Sequence, residues 1–213
     1  MGIYSQLLDQ ALTWRGAAVV LSGVLAGASG WLYVRDILKG GGTKPNTVSY
    51  VFWTVLQAIA LVAQIKKGGS LSVVFMVLVT LSTTTITILS LKKKYGYRKY
   101  GRIEIYCSIL TVAAIVGWKV TGDPLLAIFF SIVGDLAATS PTLRKVWLEP
   151  RSEHALAWGL MTVASIFGAL ASDKFDFANL AFPVYLTIVT GVVALLAHCG
   201  RNRNPGRKTG SRT

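Results

Sequence analysis

The chain has 213 residues, of which 53% are hydrophobic and 15% charged, with a mean hydropathy of +0.54. A soluble domain carries about a quarter of its residues as charges; here the few charges are gathered between long apolar runs, which excludes a water-soluble exterior over most of the length. The formal net charge of +13 does not indicate nucleic acid, whose binders spread Lys and Arg over a folded face; these flank apolar segments, where membrane topology and anionic lipid account for them.

Residues 1–16 lack the basic start and early cleavage site of a signal peptide and predict an amphipathic segment lying at the membrane interface. Seven stretches are then apolar enough, at about 20 residues each, to predict spans at 17–34, 47–65, 70–91, 104–120, 125–143, 155–172 and 177–198. Backbone groups in hydrocarbon must be satisfied within each segment, so the spans should be helices. The fourth and fifth are separated only by Thr121-Gly122-Asp123-Pro124, whose Gly, Asp and Pro predict a tight turn. Residues 92–103 form a basic loop, and residues 199–213 a basic tail predicted to be disordered.

Cys107 and Cys199 stand in or beside apolar runs, and His154 and His198 at segment edges, in no shared motif. Their spacing supports neither a disulfide framework nor a metal site, and no cofactor is implied. An enzyme would require paired acids, a His/Asp cluster or a nucleophile with its base. None is present at depth, so the expectation is that the chain is not an enzyme. Nor is it a retinal pigment, since no lysine falls between Phe177 and His198.

Orientation follows from Lys and Arg. With seven spans, seventeen of the 22 basic residues fall on one side, in the 1–2, 3–4 and 5–6 loops and the tail, against Arg15, Lys66, Lys67, Lys119 and Lys174 on the other. The positive-inside rule puts the first set in the cytoplasm. The N-terminus is then outside and the C-terminus inside a plasma membrane, with anionic lipid at the basic face.

An odd number of spans suggests three plus one plus three. Residues 28–39, at the end of the first span, align with 137–148 at the end of the fifth. Arg35 falls on Arg144 and Ile37 on Val146. With one gap, Thr54-Val55 falls on Thr162-Val163. Both spans run in the same direction, so the repeats are parallel, with residues 17–91 and 125–198 as three-helix bundles and 104–120 as the linker helix between them.

Ser140-Pro141-Thr142-Leu143-Arg144-Lys145-Val146-Trp147, followed by Arg151-Ser152-Glu153, resembles the motif that closes the first helix of each bundle in the SWEET and PQ-loop transporter superfamily. The stretch from Arg35 to Trp53 resembles a degenerate first copy. The resemblance extends over residues 17–198 and implies two three-helix bundles, a midplane substrate cavity and alternating access by rocking. Position 142 is Thr where the motif has Gln, and Leu32-Tyr33 replace Pro-Gln in the first copy. Trp53 has Met161 as its repeat mate, and the third helices carry no Asn at depth, so sugar specificity does not follow.

Asp135 stands mid-span in Ser131-Ile132-Val133-Gly134-Asp135. A charge there costs about 2.5–3.5 kcal/mol on insertion scales. Such an acid can hold a proton, a cation or a substrate amine, or it can lock helix packing by a hydrogen bond. Gln57 and Gln64 share a helical face, and the third span is rich in hydroxyls, Thr84 among them; they can wall a polar cavity or serve helix packing. Tyr185 is the corresponding candidate on the seventh span, and Trp53 is deep enough to line the same space. The expectation is a small-solute transporter working by alternating access, with Asp135 as a route to proton coupling. The alternative is a seven-helix receptor or ligand-binding protein on the same scaffold. A small molecule is the expected ligand, and homo-oligomers are compatible with the scaffold.

Overall fold

The computed structural model describes residues 14–68, 71–98 and 101–203. The predicted interfacial segment therefore lies outside the described residues up to residue 13, and the tail lies outside them beyond 203. Seven α-helices and one short 3-10 turn make up the described chain, and it contains no strand. They are α1 (Trp14–Lys39), α2 (Thr47–Lys66), α3 (Ser72–Ser90), α4 (Arg102–Thr121), α5 (Pro124–Leu148), the 3-10 turn Pro150–Ser152, α6 (Ala155–Leu170) and α7 (Phe177–Arg203). Six are long and apolar enough to cross a membrane. The exception is α6, whose 16 residues rise about 24 Å at 1.5 Å per residue, short of a hydrocarbon core of about 30 Å.

Local chemistry sets the boundaries. Gly122 ends α4 in the left-handed conformation at φ 65°, its N–H donating to Trp118 O at 3.0 Å. Asp123 then caps α5, accepting from Leu125 N at 2.6 Å, with Pro124 in the first turn. A proline at that position loses no helical hydrogen bond. The starts of α2 and α6 are capped alike. Asn46 accepts from Ser49 N at 3.2 Å, and His154 Nδ1 accepts from Ala157 N at 3.1 Å.

Three boundaries differ from expectation. The first span does not end at 34; α1 continues to Lys39. The fifth does not end at 143; α5 continues to Leu148 and carries Pro141 buried inside it. A proline removes one backbone donor, and neighbouring helices make that loss tolerable in membrane helices. The third departure is at α7, which passes His198 and reaches Arg203, so residues 199–203 are helical where the sequence suggested a tail.

The first helix packs on α6 and α3, α2 on α5 and α3, α7 on α6 and α5, and α4 on α5 with a lesser contact to α2. Loops gather at two ends. At one, Lys44 N donates to Ser152 O at 3.1 Å, Tyr97 N to Pro45 O at 2.8 Å, and Thr47 Oγ1 to Ser90 O at 3.1 Å. Arg35, Lys39, Lys92, Lys93, Lys94 and Arg144 are exposed towards this basic end. At the other, Lys174 Nζ donates to Gly68 O at 2.7 Å, and Gln64 Nε2 donates to Ser72 Oγ at 2.9 Å and Asn179 Oδ1 at 3.5 Å.

Polarity is arranged inside out. Leu81, Ile109, Val116, Val120, Ile188 and Leu195 are exposed, while Gln57, Thr111, Asp135 and Thr190 are buried. Exposed apolar surface on this scale marks a lipid-facing exterior. Towards the end opposite the basic loops the interior is apolar: Ala26, Ala60, Phe75, Met76, Ala164 and Phe182 form one cluster. Gly168 of α6 makes room for the Phe75 ring there; a methyl group on Gly168 would lie 2.7 Å from two ring carbons. Phe75 is fully buried and has nowhere to retreat. Gly168→Ala should therefore destabilise the fold by about 1–3 kcal/mol, whereas Gly27→Ala, with nothing within 4 Å, should not. Thermal unfolding of both variants in the same detergent checks this; equal melting temperatures would contradict it.

Candidate functional site: a cavity shared by six helices

Every helix except α4 contributes to one interior cavity of about 60 Å³, room for a few water molecules or a small ligand group. Its apolar wall is Val79 and Ile86 of α3, Met161 of α6, and Leu186 and Val189 of α7. Its polar wall is Ser29, Gln57, Ser82, Thr83, Asp135 and Thr190. Asp135 is the one charged residue among those described as lining it. Towards the basic end four rings complete the lining, Tyr33, Tyr50, Trp53 and Trp158. They form a closed circuit with neighbouring centroids 4.8–6.1 Å apart, three of the four contacts edge-to-face.

Asp135 is 2% exposed and its two oxygens differ. Oδ2 accepts from the Tyr185 hydroxyl at 2.7 Å and from Thr139 Oγ1 at 3.4 Å. Oδ1 has no hydrogen-bond partner, and neither does Gln57 Oε1 or, one turn earlier on α5, Ser131 Oγ. Trp53 is fixed against this strand of contacts, its Nε1 donating to Thr139 Oγ1 at 3.1 Å and Asp135 O at 3.4 Å. Buried oxygens without donors are costly unless something else supplies the hydrogen bond.

Of the residues singled out in the sequence, the fold brings Asp135, Trp53, Gln57 and Tyr185 together. Thr84 is not with them: its hydroxyl donates to Thr80 O of its own helix at 2.7 Å, and Ser82 and Thr83 face the cavity instead. Gln64 lies a full turn-pair away, held at the opposite end by Ser72 and Asn179. Arg35 is exposed and stacks over Trp31 at 5.1 Å, and Arg144 is exposed while Pro141 is buried.

One part of the site was not singled out. Lys145, grouped in the sequence with loop charges, is 1% exposed, and Glu153 is fully buried. The two form an ion pair. Glu153 Oε2 also accepts from the Tyr33 hydroxyl at 2.6 Å and Trp158 Nε1 at 2.8 Å, and Lys145 Nζ donates to Lys44 O at 2.5 Å. The carboxylate thus ties two cavity-lining rings, from α1 and α6, to α5 and to the loop before α2. This network lies on the basic side of the cavity, holding two of its lining rings. A signal existed in the sequence: Lys145 and Glu153 stand eight positions apart, and Glu153, with Glu149, is an acid among the basic residues Arg144, Lys145 and Arg151.

Two further hydrogen bonds flank the cavity. Thr54 and Thr87 share one at 2.8 Å between α2 and α3, and Thr162 and Thr190 share one at 2.9 Å between α6 and α7. No group of three or more metal-ligating side chains occurs among the described residues. Comparisons with protein-family models, curated proteins and solved structures found no match to this chain.

Removing one partner of a buried ion pair leaves the other charge uncompensated, at about 3–5 kcal/mol. Glu153→Ala should destabilise by that amount, since it strands Lys145, the Tyr33 hydroxyl and the Trp158 N–H together. Glu153→Gln, which keeps acceptors for the two rings, should lose less. Denaturant unfolding in micelles measures both. A loss below about 1 kcal/mol for the alanine variant would mean that the pair is not buried as described.

Proposed function

We propose that the chain is a small-solute transporter whose two like-oriented three-helix bundles, α1–α3 and α5–α7, are joined by α4 and alternate access to the cavity between them. The observation that carries this reading is a largely apolar cavity that bears a carboxylate and is lined by six helices whose exteriors are apolar. Intramembrane acids facing a cavity mark solute or proton pathways.

The packing supports the two-bundle arrangement. Exchanging α1 with α5, α2 with α6 and α3 with α7 maps the helix contacts among those six onto themselves: α1–α3 onto α5–α7, α2–α3 onto α6–α7, and α1–α6 onto α5–α2. Within each triplet the third helix lies between the first two. The same exchange maps Thr54–Thr87 onto Thr162–Thr190, and the Asn46 cap onto the His154 cap. These fit the register in which Thr54 falls on Thr162, and the likeness to the SWEET and PQ-loop superfamily rests on the same repeat. In this arrangement α6 is the sixth of seven crossings despite its length, its ends extended by the turn before it and by residues 171–176.

The basic end faces the cytoplasm of a plasma membrane, as the placement of Lys and Arg favours. In the conformation described, Tyr33, Trp158, Glu153 and Lys145 are tied together towards that end of the cavity, and the Phe75 cluster packs towards the other. Rocking of the bundles would loosen one end while tightening the other. Asp135, with one oxygen free, is the coupling group that takes up and releases a proton.

A ligand found by thermal-shift screening against sugars, amino acids, vitamins and amines should be taken up by proteoliposomes under an imposed pH gradient. Asp135→Asn should abolish the pH-driven component while leaving protein abundance intact. Undiminished pH-driven uptake by that variant would remove the coupling role, and saturable binding with no uptake would point to a receptor.

A further inference from the structure

The groups lining the cavity specify the chemistry of what it holds. Two buried oxygens of residues lining the cavity lack hydrogen-bond partners, Asp135 Oδ1 and Gln57 Oε1. Both are acceptors, so what is missing is a donor of hydrogen bonds or a cation. No lysine, arginine or histidine lines the cavity among the described residues, so the protein supplies no positive partner for the carboxylate. Lys145, the nearest buried cation in the site, is already engaged by Glu153 and Lys44. The four-ring circuit adds a second requirement. Aromatic faces attract cations and give nothing comparable to anions, and Trp53 and Trp158, the strongest of the ring types in this respect, both belong to it.

We propose that the cavity is a site for a small primary ammonium ion, bound by the free oxygens of Asp135 and Gln57, with its carbon chain against the aromatic and aliphatic wall. This rests on the transporter reading above and narrows its substrate. A primary ammonium carries three N–H donors, enough to serve both orphaned acceptors, Asp135 Oδ1 and Gln57 Oε1, at once. A quaternary ammonium satisfies the rings and leaves those oxygens unpaired. A zwitterion such as an amino acid brings a carboxylate for which the lining offers no cation. The neutral alcohol of the same size satisfies neither the charge nor the rings. The cavity volume of about 60 Å³ limits the ligand to a few heavy atoms in this conformation.

The test uses the purified full-length protein in detergent, with binding read from tryptophan fluorescence, since Trp53 and Trp158 line the cavity, and confirmed by calorimetry. The probes are propylammonium, tetramethylammonium and propanol. Propylammonium should bind saturably, and the other two at least about tenfold more weakly, since each lacks part of the recognition. Asp135→Asn should lower propylammonium affinity roughly thirtyfold or more, the usual cost of losing the partner of a buried charge. If that variant does not fold, the selectivity among the three probes on the unaltered protein decides alone. Equal affinity for propanol, absence of propylammonium binding, or undiminished binding by Asp135→Asn overturns the proposal. Radiolabelled propylammonium in proteoliposomes separates this outcome from the fate of the transporter reading. Binding without uptake leaves the ligand class standing and defeats transport, while Asp135-dependent uptake of a neutral solute, with no amine binding, does the reverse.

Discussion

Hydrocarbon offers no hydrogen bonds, and this one constraint organises the molecule. Every polar group that enters the bilayer must be satisfied by protein, or by something the protein holds. The chain meets it almost everywhere by local means. Hydroxyls of Thr80, Thr84, Thr85, Thr162 and Thr187 return to carbonyls one turn back on their own helices. Three buried ionisable side chains show the two possible outcomes. Lys145 and Glu153 satisfy each other, together with Tyr33, Trp158 and Lys44. Asp135 is satisfied on one oxygen and open on the other. The closed network has the character of a latch, and the open carboxylate that of a binding group.

The distinction between the halves sharpens this contrast. In the proposed repeat register, Asp135 corresponds to Ala26, which packs in the apolar cluster around Phe75, and Trp53 corresponds to Met161, which lines the same cavity. The hydrogen bonds that hold each triplet together recur in both halves, while the groups that give the cavity its chemistry do not. A repeated scaffold with a one-sided site fits a transporter in which symmetry serves the rocking motion and asymmetry serves recognition.

Much of the fold was legible because hydropathy and punctuation act locally. Gly122, Asp123 and Pro124 turn the chain where their conformational preferences require it, and the apolar runs became helices close to their predicted limits. The depth of Asp135 was legible for the same reason, since its distance from either end of an apolar run is a property of the sequence. What failed depended on rotation and on contacts across the bundle. A span with hydroxyls on several faces does not reveal whether Thr83 or Thr84 turns inward; one residue is a rotation of about 100°. Gln57 and Gln64 share a face, but two turns of rise carry them to different neighbours. Lys145 was grouped with Arg144 as a topological charge because adjacency in sequence hides that one points to solvent and the other into the protein. The fifth span was expected to end at 143, where the apolar run meets Arg144 and Lys145, yet α5 runs on to Leu148.

Access to the cavity from both faces of the membrane separates a transporter from a receptor or a structural protein. With Cys107 and Cys199 replaced by serine, a single cysteine at Ser82, which lines the cavity, can be probed in sealed vesicles with a membrane-impermeant thiol reagent applied from one side or the other. Alternating access requires reaction from each side, slowed in both cases by the bound ligand. Reaction from one side only, or from neither under any ligand condition, would contradict it.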